Sequence, residues 1–232
     1  MRIAALIPAA GRGKRMAEKT PKAFLPLGGV PLLARTLLQF EDSSIVEEIV
    51  VLAPPGDGVG LAEEMTARLG IRKVFRILAG GPERQDSVYH GLKALESRAD
   101  LVLIHDGARP FVTPELIERV AAEARLTKAV VAAVPVRDTI KEIGDDRAVL
   151  RTLNRGSLWE IQTPQGFHYS LIVEAYEKAF RDGFYGTDDA ALVERLGVRV
   201  KVVPGSRFNL KITTPEDLVL GEALAQRLAA KS

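Results

Sequence analysis

The chain has 232 residues, which is enough for a large domain with a sizeable core. Its 32 Lys and Arg residues against 30 Asp and Glu residues leave a formal charge of +2, too balanced to indicate nucleic acid as a general partner. Because cysteine is absent, disulfides, thiolate metal sites and a cysteine nucleophile are excluded. No segment approaches the roughly 18 apolar residues of a membrane span, and we expect a soluble cytoplasmic protein.

Apolar, β-rich segments alternate with amphipathic segments in the first half of the chain. The expected strands are Ile3–Ile7, Glu48–Ala53, Val74–Ala79, Leu101–His105 and Ala129–Val134. The expected helices are Leu32–Phe40, Leu61–Leu69, Gln85–Leu95 and Leu116–Arg125. This alternation predicts an α/β fold with a mostly parallel sheet, whose ligands bind beyond the carboxyl ends of the strands.

Residues 136–155 interrupt the alternation. Apolar residues flank a turn-rich centre at Gly144-Asp145-Asp146, which predicts a β-hairpin. A lone hairpin is marginally stable unless it packs on something, so we interpret residues 136–155 as a protruding arm that joins two copies of the chain. A solvent-exposed hairpin is the alternative.

The last third returns to α/β order. Helices are expected at Ser170–Arg181, capped by Ser170, and at Asp188–Leu196, with a strand at Val198–Val203. A final helix begins after Thr214, where an N-cap residue is followed by Pro215 at the first helical position. We expect residues 1–232 to form a single domain that carries the arm.

The loop after the first strand, Pro8 to Met16, combines two glycines with three cations. Gly11 and Gly13 let backbone N–H groups approach a phosphate closely. The segment is not a Walker A loop, and Met16 stands where a dinucleotide fingerprint requires its third glycine. The loop therefore indicates a polyanion site of another kind, with a glycine turn bearing surface cations as the alternative.

Polar clusters follow three further strands, at residues 80–87, 105–110 and 135–139. Asp106 directly follows a strand, where a carboxylate can bind Mg²⁺ between phosphates or cap a loop. Arg109 can clamp an anion, whereas His105 is interpreted as a packed residue at the strand end. The abundance of cations and the absence of a catalytic triad favour a reaction whose nucleophile is already ionised, such as a phosphate that attacks a phosphate.

Taken together, these clusters resemble the 2-C-methyl-D-erythritol 4-phosphate cytidylyltransferase family of the non-mevalonate isoprenoid pathway. The matching segments span nearly the whole chain: Pro8-Ala9-Ala10-Gly11 to Met16, Pro21-Lys22, Gly80-Gly81 with Arg84 and Ser87, His105 to Pro110, Pro135-Val136 with Asp138-Thr139, Asn154-Arg155, Thr163-Pro164-Gln165, Thr187-Asp188 and Asn209 to Thr213. The resemblance implies a Rossmann-like nucleotidyltransferase fold, a three-layer sandwich, with a homodimer formed through the arm. It also implies Mg²⁺-dependent transfer of CMP from CTP to the phosphate of the polyol, with release of pyrophosphate.

The resemblance also implies roles for particular residues. Those that bind the nucleotide are Pro8, Ala9, Ala10, Gly11, Gly13, Arg15, Lys22, Gly81, Ser87 and Asp106. Those that bind the second substrate are Asp106, Arg109, Thr139, Arg155, Thr163 and Lys211. Arg15, Lys22 and Lys211 are the expected catalytic residues, and Asp106 or the CTP phosphates would hold the metal. Pro82 departs from the common pattern and removes one backbone donor beside the nucleotide.

Two other functions remain open from the sequence. Ribitol-5-phosphate cytidylyltransferase has similar chemistry, and a polyol pocket can change through few residues. A non-catalytic nucleotide-binding regulator is the less favoured alternative, because Arg15, Lys22, Asp106 and Lys211 are all present.

Overall fold

The computed structural model of the protein describes residues 1–11 and 20–230. Its strands are β1 (Ile3–Pro8), β2 (Pro26–Leu27), β3 (Val30–Pro31), β4 (Glu48–Ala53), β5 (Val74–Ala79), β6 (Leu101–Ile104), β7 (Ala129–Pro135), β8 (Lys141–Ile143), β9 (Val149–Thr152), β10 (Trp159–His168) and β11 (Lys201–Pro204). Its helices are α1 (Leu32–Asp42), α2 (Gly58–Arg68), α3 (Arg84–Ala94), α4 (Pro114–Thr127), α5 (Tyr169–Arg181), α6 (Asp189–Glu194) and α7 (Pro215–Ala229).

Seven of these strands form one sheet in the order β11-β7-β10-β6-β1-β4-β5. Strand β10 is antiparallel to both of its neighbours, and the other neighbouring pairs are parallel. The carboxyl ends of β1, β4, β5, β6 and β7 therefore meet at one edge of the sheet, where the loops that follow them can share a ligand.

Both faces of the sheet are covered by helices. Ile3, Ala5 and Ile7 of β1 belong to a buried cluster with residues of α1, α2 and α4. Ala4 and Leu6 belong to a second buried cluster with residues of α3, α5 and α6. Successive side chains of a strand point to opposite faces, so one strand serves two cores and the fold is a three-layer α/β sandwich.

A smaller third core lies beside the main sheet. Leu27 and Leu32 pack there against Ile212 and Leu224. Helix α7 begins with a hydrogen bond from the Asp217 N–H to the Thr214 hydroxyl at 3.4 Å, as the N-cap pattern predicts. This packing holds the segment before α7 close to the edge of the sheet where the loops meet.

The predictions for the first five long strands and the first four helices are confirmed, with boundaries that differ by a few residues. The predicted cap at Ser170 is wrong, because α5 begins at Tyr169 and its N-cap residue is His168, which makes no side-chain capping bond. The last long strand begins at Lys201, later than the predicted Val198. Strand β10 was not predicted, because Pro164 and Gly166 interrupt its sequence and a register shift lies between Ile161 and Gln165.

Residues 136–155 form the predicted hairpin arm, whose strands β8 and β9 pair with each other in a separate two-stranded sheet. The turn is held by the Ala148 N–H, which donates to Asp146 Oδ1 at 2.9 Å. Ile143, Val149 and Leu150 are each more than half exposed. The arm therefore presents apolar side chains that the rest of this chain does not cover.

No helix within residues 1–11 and 20–230 is long and apolar enough to cross a membrane.

Candidate active site

A cleft of about 810 Å³ opens at the edge of the sheet where β1, β5 and β6 end. The loops after these three strands form most of its wall, and the segments around Lys22 and Lys211 complete it. The lining residues named by the sequence analysis are Pro8, Ala9, Ala10, Gly11, Lys22, Gly81, Ser87, Asp106 and Lys211. Most of the expected nucleotide-binding set thus shares one cavity.

The loops around the cleft are packed tightly against one another. A Cβ atom on Gly80 would lie 2.1 Å from the Cβ of Ala10, and one on Gly107 would lie 3.0 Å from the Cβ of Ala9. The Ala9 N–H donates to the Leu52 carbonyl at 2.8 Å, which ties the first loop to the end of β4. Backbone atoms therefore form a large part of the cleft wall, as close approach to phosphates requires.

Ser87 organises the second loop from the first turn of α3. Its buried hydroxyl donates to the Glu83 carbonyl and accepts from the Gly81 N–H, each at 3.0 Å. This hydroxyl fixes Gly81 at the cleft and keeps one acceptor lone pair beyond these two bonds. Pro82 lies in the same loop and has no N–H, so the available donors are those of its neighbours.

Asp106 lies at the floor of the cleft among three cations. Its Oδ2 lies 2.8 Å from Lys211 Nζ and 3.6 Å from Arg109 Nε, and its Oδ1 accepts from Arg84 Nε at 3.3 Å. Burial alone would raise the pKa of the Asp106 carboxyl. The charges of Arg84, Lys211 and Arg109 outweigh burial and hold this pKa well below its ordinary value. Asp106 is therefore a carboxylate at neutral pH.

Arg109 belongs to the same cluster but faces inward. Its side chain is 11% exposed and donates from Nη1 to the Asn209 carbonyl at 2.8 Å. The distance of 3.6 Å from its Nε to Asp106 is an ion pair and too long for a hydrogen bond. The Asn209 amide in turn donates to the Thr163 carbonyl at 2.8 Å, so Asn209 links the segment before Lys211 to β10.

His105 and Thr163 support the Asp106 loop from below. The Thr163 hydroxyl accepts from the Asp106 N–H at 3.1 Å and lies 3.0 Å from His105 Nδ1, while His105 Nε2 lies 3.1 Å from the Arg109 carbonyl. A neutral imidazole protonated on Nε2 satisfies all three contacts. His105 is fully buried, so its interpretation as a packed residue is confirmed, and burial lowers its pKa to about 4.

Two important residues were not assigned from the sequence. Arg84 donates from both terminal nitrogens to the buried carboxylate of Asp189, at 2.9 and 2.7 Å, and its Nε faces Asp106. Arg84 lies in one of the segments that match the family, Gly80 to Ser87, and this position could have indicated that it belongs to the site. Asp189 is the first residue of a short helix and lies 105 positions away from Arg84 in the sequence. The residues around Asp189 do not indicate that its side chain points into the protein.

Six expected site residues are not among the described residues that line the cleft, and two of them, Arg109 and Thr163, contact Asp106 from within the protein. Thr139 and Arg155 are exposed on the arm and are not among the described residues that line the cleft. Arg155 Nη1 donates to the Arg137 carbonyl at 2.7 Å. Gly13 and Arg15 lie outside the described residues.

The fold and the cleft together define the class of protein. A Rossmann-like sheet carries at its ligand edge a cavity walled by glycine-rich backbone and by the side chains of Lys22, Arg84 and Lys211. This arrangement suits a nucleoside triphosphate and the transfer of a phosphoryl-linked group, as in a nucleotidyltransferase.

The chain belongs to the 2-C-methyl-D-erythritol 4-phosphate cytidylyltransferase family, whose sequence model matches residues 3–227. A relative of that name from Geobacter metallireducens is 50% identical over 226 residues, covering 96% of this chain and 97% of its own length. One from Syntrophus aciditrophicus is 46% identical over 226 residues, covering 97% of each chain.

Solved structures of the same family share the fold. The 4-diphosphocytidyl-2C-methyl-D-erythritol synthase of Anaerococcus prevotii has a TM-score of 0.86 and 36% identity, covering 97% of this chain and 96% of its own. The 2-C-methyl-D-erythritol 4-phosphate cytidylyltransferase of Thermus thermophilus has a TM-score of 0.80 and 41% identity, covering 97% of this chain and 100% of its own. The resemblance drawn from the sequence motifs is confirmed.

Proposed function

We propose that this chain transfers CMP from CTP to 2-C-methyl-D-erythritol 4-phosphate, yielding 4-diphosphocytidyl-2-C-methyl-D-erythritol and pyrophosphate. The family match over residues 3–227 favours this substrate over ribitol 5-phosphate. The observation that carries the proposal is one cleft in which Lys22 and Lys211 meet the glycine-rich loops and Asp106. A regulator without catalytic activity would not need these groups to converge on one cavity.

The nucleotide side of the proposed site is built from backbone. We propose that the segment from Pro8 to Gly11, continuing to Gly13, cradles the triphosphate with its N–H groups, and that Gly81 and Ser87 contact the cytosine edge. Lys22, which lines the same cleft, would neutralise charge that develops around the α-phosphorus, together with Arg15. These cations act by position and charge and need no proton transfer.

The second-substrate side is centred on Asp106. We propose that Asp106 accepts from the hydroxyls of the polyol, that Lys211 binds its phosphate, and that Arg109 adds positive charge from behind. The Thr163 hydroxyl is already used by His105 and by the Asp106 N–H, so Thr163 would act mainly by fixing the Asp106 backbone. Its role is thus positioning rather than direct contact.

The proposed reaction requires no general base. The attacking group is a phosphate oxygen that is ionised at neutral pH, and the cleft places cations around the position of an in-line displacement. His105 cannot serve as a base for this step, because it is fully buried and both of its ring nitrogens have partners in the protein.

Mg²⁺ is part of the proposal as a companion of CTP. Within the described residues, no group of three or more His, Asp and Glu side chains could hold a metal ion. Asp106 is a poor primary ligand in this arrangement, because Lys211, Arg84 and Arg109 already surround its two oxygens. We propose that the triphosphate oxygens are the main Mg²⁺ ligands and that the ion neutralises phosphate charge when it is bound.

The arm supports a homodimer in this proposal. Its exposed apolar residues need a cover, and Thr139 and Arg155 lie on it, away from the cleft of their own chain. A second copy would cover the apolar residues and bring Thr139 and Arg155 to the polyol site of its partner. The proposal thus describes a single domain of residues 1–232 that works in pairs, in the cytoplasm where CTP is available.

Pyrophosphate release from CTP tests the function. Purified protein with Mg²⁺ is assayed with methylerythritol phosphate and, separately, with ribitol 5-phosphate. We expect release with the first substrate and at least about 100-fold lower kcat/KM with the second. Preference for ribitol 5-phosphate would select the other cytidylyltransferase, and CTP binding without release in either assay would select the regulator.

A further inference from the structure

We propose that Asp189 and Tyr176 are positioning residues for this reaction, and that they hold Arg84 so that Arg84 fixes the orientation of Asp106 in the cleft. The inference rests on the proposed function, since the consequence is expressed at the polyol site. According to this inference, the contact of Asp189 in α6 with Arg84 in α3 and Tyr176 in α5 contributes to substrate binding.

Arg84 and Asp189 form a bidentate ion pair. Asp189 is fully buried, and its two oxygens accept from Nη1 and Nη2 of Arg84 at 2.9 and 2.7 Å. A bidentate pair of this kind fixes the plane of the guanidinium as well as its position. Three N–H groups of Arg84 remain, and the one on Nε is thereby directed at Asp106 Oδ1, 3.3 Å away.

Asp189 is itself held in place by its surroundings. The buried hydroxyl of Tyr176 donates to Asp189 Oδ1, and burial together with the Asp189 charge raises the pKa of Tyr176, so the phenol keeps its proton. Gln165 of β10 accepts from the Ala190 N–H at 3.0 Å and donates to Asp188 Oδ2 at 2.7 Å. The start of α6 is thus fixed to the sheet on both sides of Asp189.

The two oxygens of Asp106 therefore face cations that are held in different ways. Arg84 approaches Oδ1 with a side chain that is 33% exposed and is held by its bidentate pair with Asp189, whereas Lys211 approaches Oδ2 with a side chain that is 41% exposed. When Lys211 turns toward a substrate phosphate, Asp106 keeps Arg84 on Oδ1 at 3.3 Å and, on Oδ2, only the longer ion pair with Arg109 at 3.6 Å. The carboxylate therefore stays in the orientation in which it meets the polyol hydroxyls.

A purely structural role for Asp189 predicts a different outcome. A buried carboxylate without its arginine is strongly destabilising, so any loss of this pair lowers the stability of the fold. Such a loss changes the amount of folded enzyme, but it leaves the KM of the folded fraction unchanged. The positioning role predicts a change in the KM for methylerythritol phosphate and no change in the affinity for CTP.

Asp189→Asn is the main test, because it removes the charge and keeps the shape. We expect the KM for methylerythritol phosphate to rise at least tenfold while the CTP dissociation constant, measured without the second substrate, changes less than threefold. Asp182→Asn is the matched control. Asp182 accepts from Arg195 Nη2 at 2.9 Å and from Lys178 Nζ at 3.0 Å on the outer surface. Asp182→Asn should therefore keep the parental KM for methylerythritol phosphate and the parental CTP dissociation constant.

Tyr176→Phe provides a second route if Asp189→Asn does not fold, because it removes one hydroxyl from a packed ring. We expect a KM change in the same direction of about threefold, and no further loss when it is added to Asp189→Asn, since the residues act as one unit. An unchanged KM with a lower melting temperature in these variants would overturn the inference. A fall in CTP affinity with an unchanged KM would overturn it too, by assigning Arg84 to the nucleotide.

A measurement without turnover separates this inference from the proposed function. The Arg84 Nε–H, followed by nitrogen-15 NMR, should exchange slowly with water in the parent protein and at least tenfold faster in Asp189→Asn. Equal exchange rates would refute the anchor even in an active enzyme. Absence of pyrophosphate release by the parent protein would refute the proposed function, whatever the exchange rates.

Discussion

Lys211 Nζ lies 2.8 Å from Asp106 Oδ2, although the two residues belong to opposite halves of the chain. The Lys211 side chain is 41% exposed and that of Asp106 is 10% exposed, so the pair joins the solvent-facing mouth of the cleft to its floor. The segment that carries Lys211 is placed by the hydrogen bond from the Ile212 N–H to the Ala108 carbonyl at 2.8 Å.

Lys211→Gln should lower kcat/KM for methylerythritol phosphate by about 100-fold, because the cation that we propose binds the substrate phosphate is lost. The pKa of Asp106 should rise toward its ordinary value, because Lys211 is one of the charges that lower it. Steady-state kinetics measure the first change and carboxyl NMR the second. Lys93→Gln is the control, since Lys93 pairs with Glu177 at 3.2 Å on the surface, and loss of activity in that variant would make the effect nonspecific.

Lys22→Ala should reduce kcat by about 100-fold or more and change CTP affinity less than fivefold. The reason is that charge around the α-phosphorus develops mainly in the transition state. Single-turnover kinetics and CTP titration separate the two quantities. A large loss of CTP binding with unchanged kcat would move Lys22 from catalysis to ground-state binding.

Arg155→Ala and Lys22→Ala chains should complement each other in mixed dimers if the arm completes the partner's site. Each variant alone is expected to be nearly inactive. In a statistical mixture about half of the dimers are heterodimers, and one of the two sites in each heterodimer has both Lys22 and Arg155. Up to about a quarter of the parental activity should therefore return. Mixtures that stay inactive after confirmed subunit exchange would place Arg155 in the site of its own chain.

Leu150→Glu should disrupt the proposed dimer, because it places a charge in the apolar surface of the arm. Leu150 is 63% exposed in the isolated chain. Leu126→Glu is the matched control, since Leu126 is 80% exposed on α4 and away from the arm. Sedimentation measures the oligomeric state. If Leu150→Glu remains dimeric at micromolar concentration, the arm is not the principal interface.

His105 should make the protein less stable in mild acid. Burial lowers its folded pKa to about 4 from an ordinary value of 6.5, so the unfolded chain binds more protons between these pH values. The stabilisation is complete above pH 6.5 and is lost as the pH falls toward 4. At pH 5 the expected loss of unfolding free energy from this group is about 2 kcal/mol.

Urea unfolding at pH 7 and pH 5 measures this loss. His105→Gln should be less stable than the parent at pH 7, because the packed ring is lost, but it should show a smaller difference between the two pH values. His90 is exposed, and His90→Gln should retain the parental difference. If the stability of the parent and that of His105→Gln depended equally on pH, His105 would not be the group that lowers stability in acid.

Regular segments of the fold could be predicted from the sequence, because local patterns specify them. The alternation of strands and helices up to residue 135 required only apolar periodicity, and the hairpin required only its turn residues. Strand β10 could not be recognised in this way. Its central position depends on pairing with β6 and β7, and its Thr163-Pro164 step lies within a register shift that only tertiary contacts stabilise.

The site likewise contains residues whose positions could be predicted from the sequence and residues whose positions could not. Asp106 and the glycine-rich loops follow strands directly, so their position at the sheet edge can be derived from the sequence. The convergence of Arg84, Asp189 and Tyr176 cannot, because it depends on how α3, α5 and α6 pack over one face of the sheet. The family resemblance identified the chemistry, but the support behind Asp106 required coordinates.

The antiparallel direction of β10 also determines where the chain can be varied. Strand β7 ends and β10 begins at the ligand edge, where Pro135 pairs with Trp159, so the intervening residues leave and return on the same side of the sheet. A parallel β10 would have required a crossover to the far side. Residues 136–158 can therefore lengthen, shorten or change in sequence without disturbing the two cores on the faces of the sheet. If Thr139 and Arg155 bind the polyol as proposed, substrate choice can diverge there while the sheet is preserved.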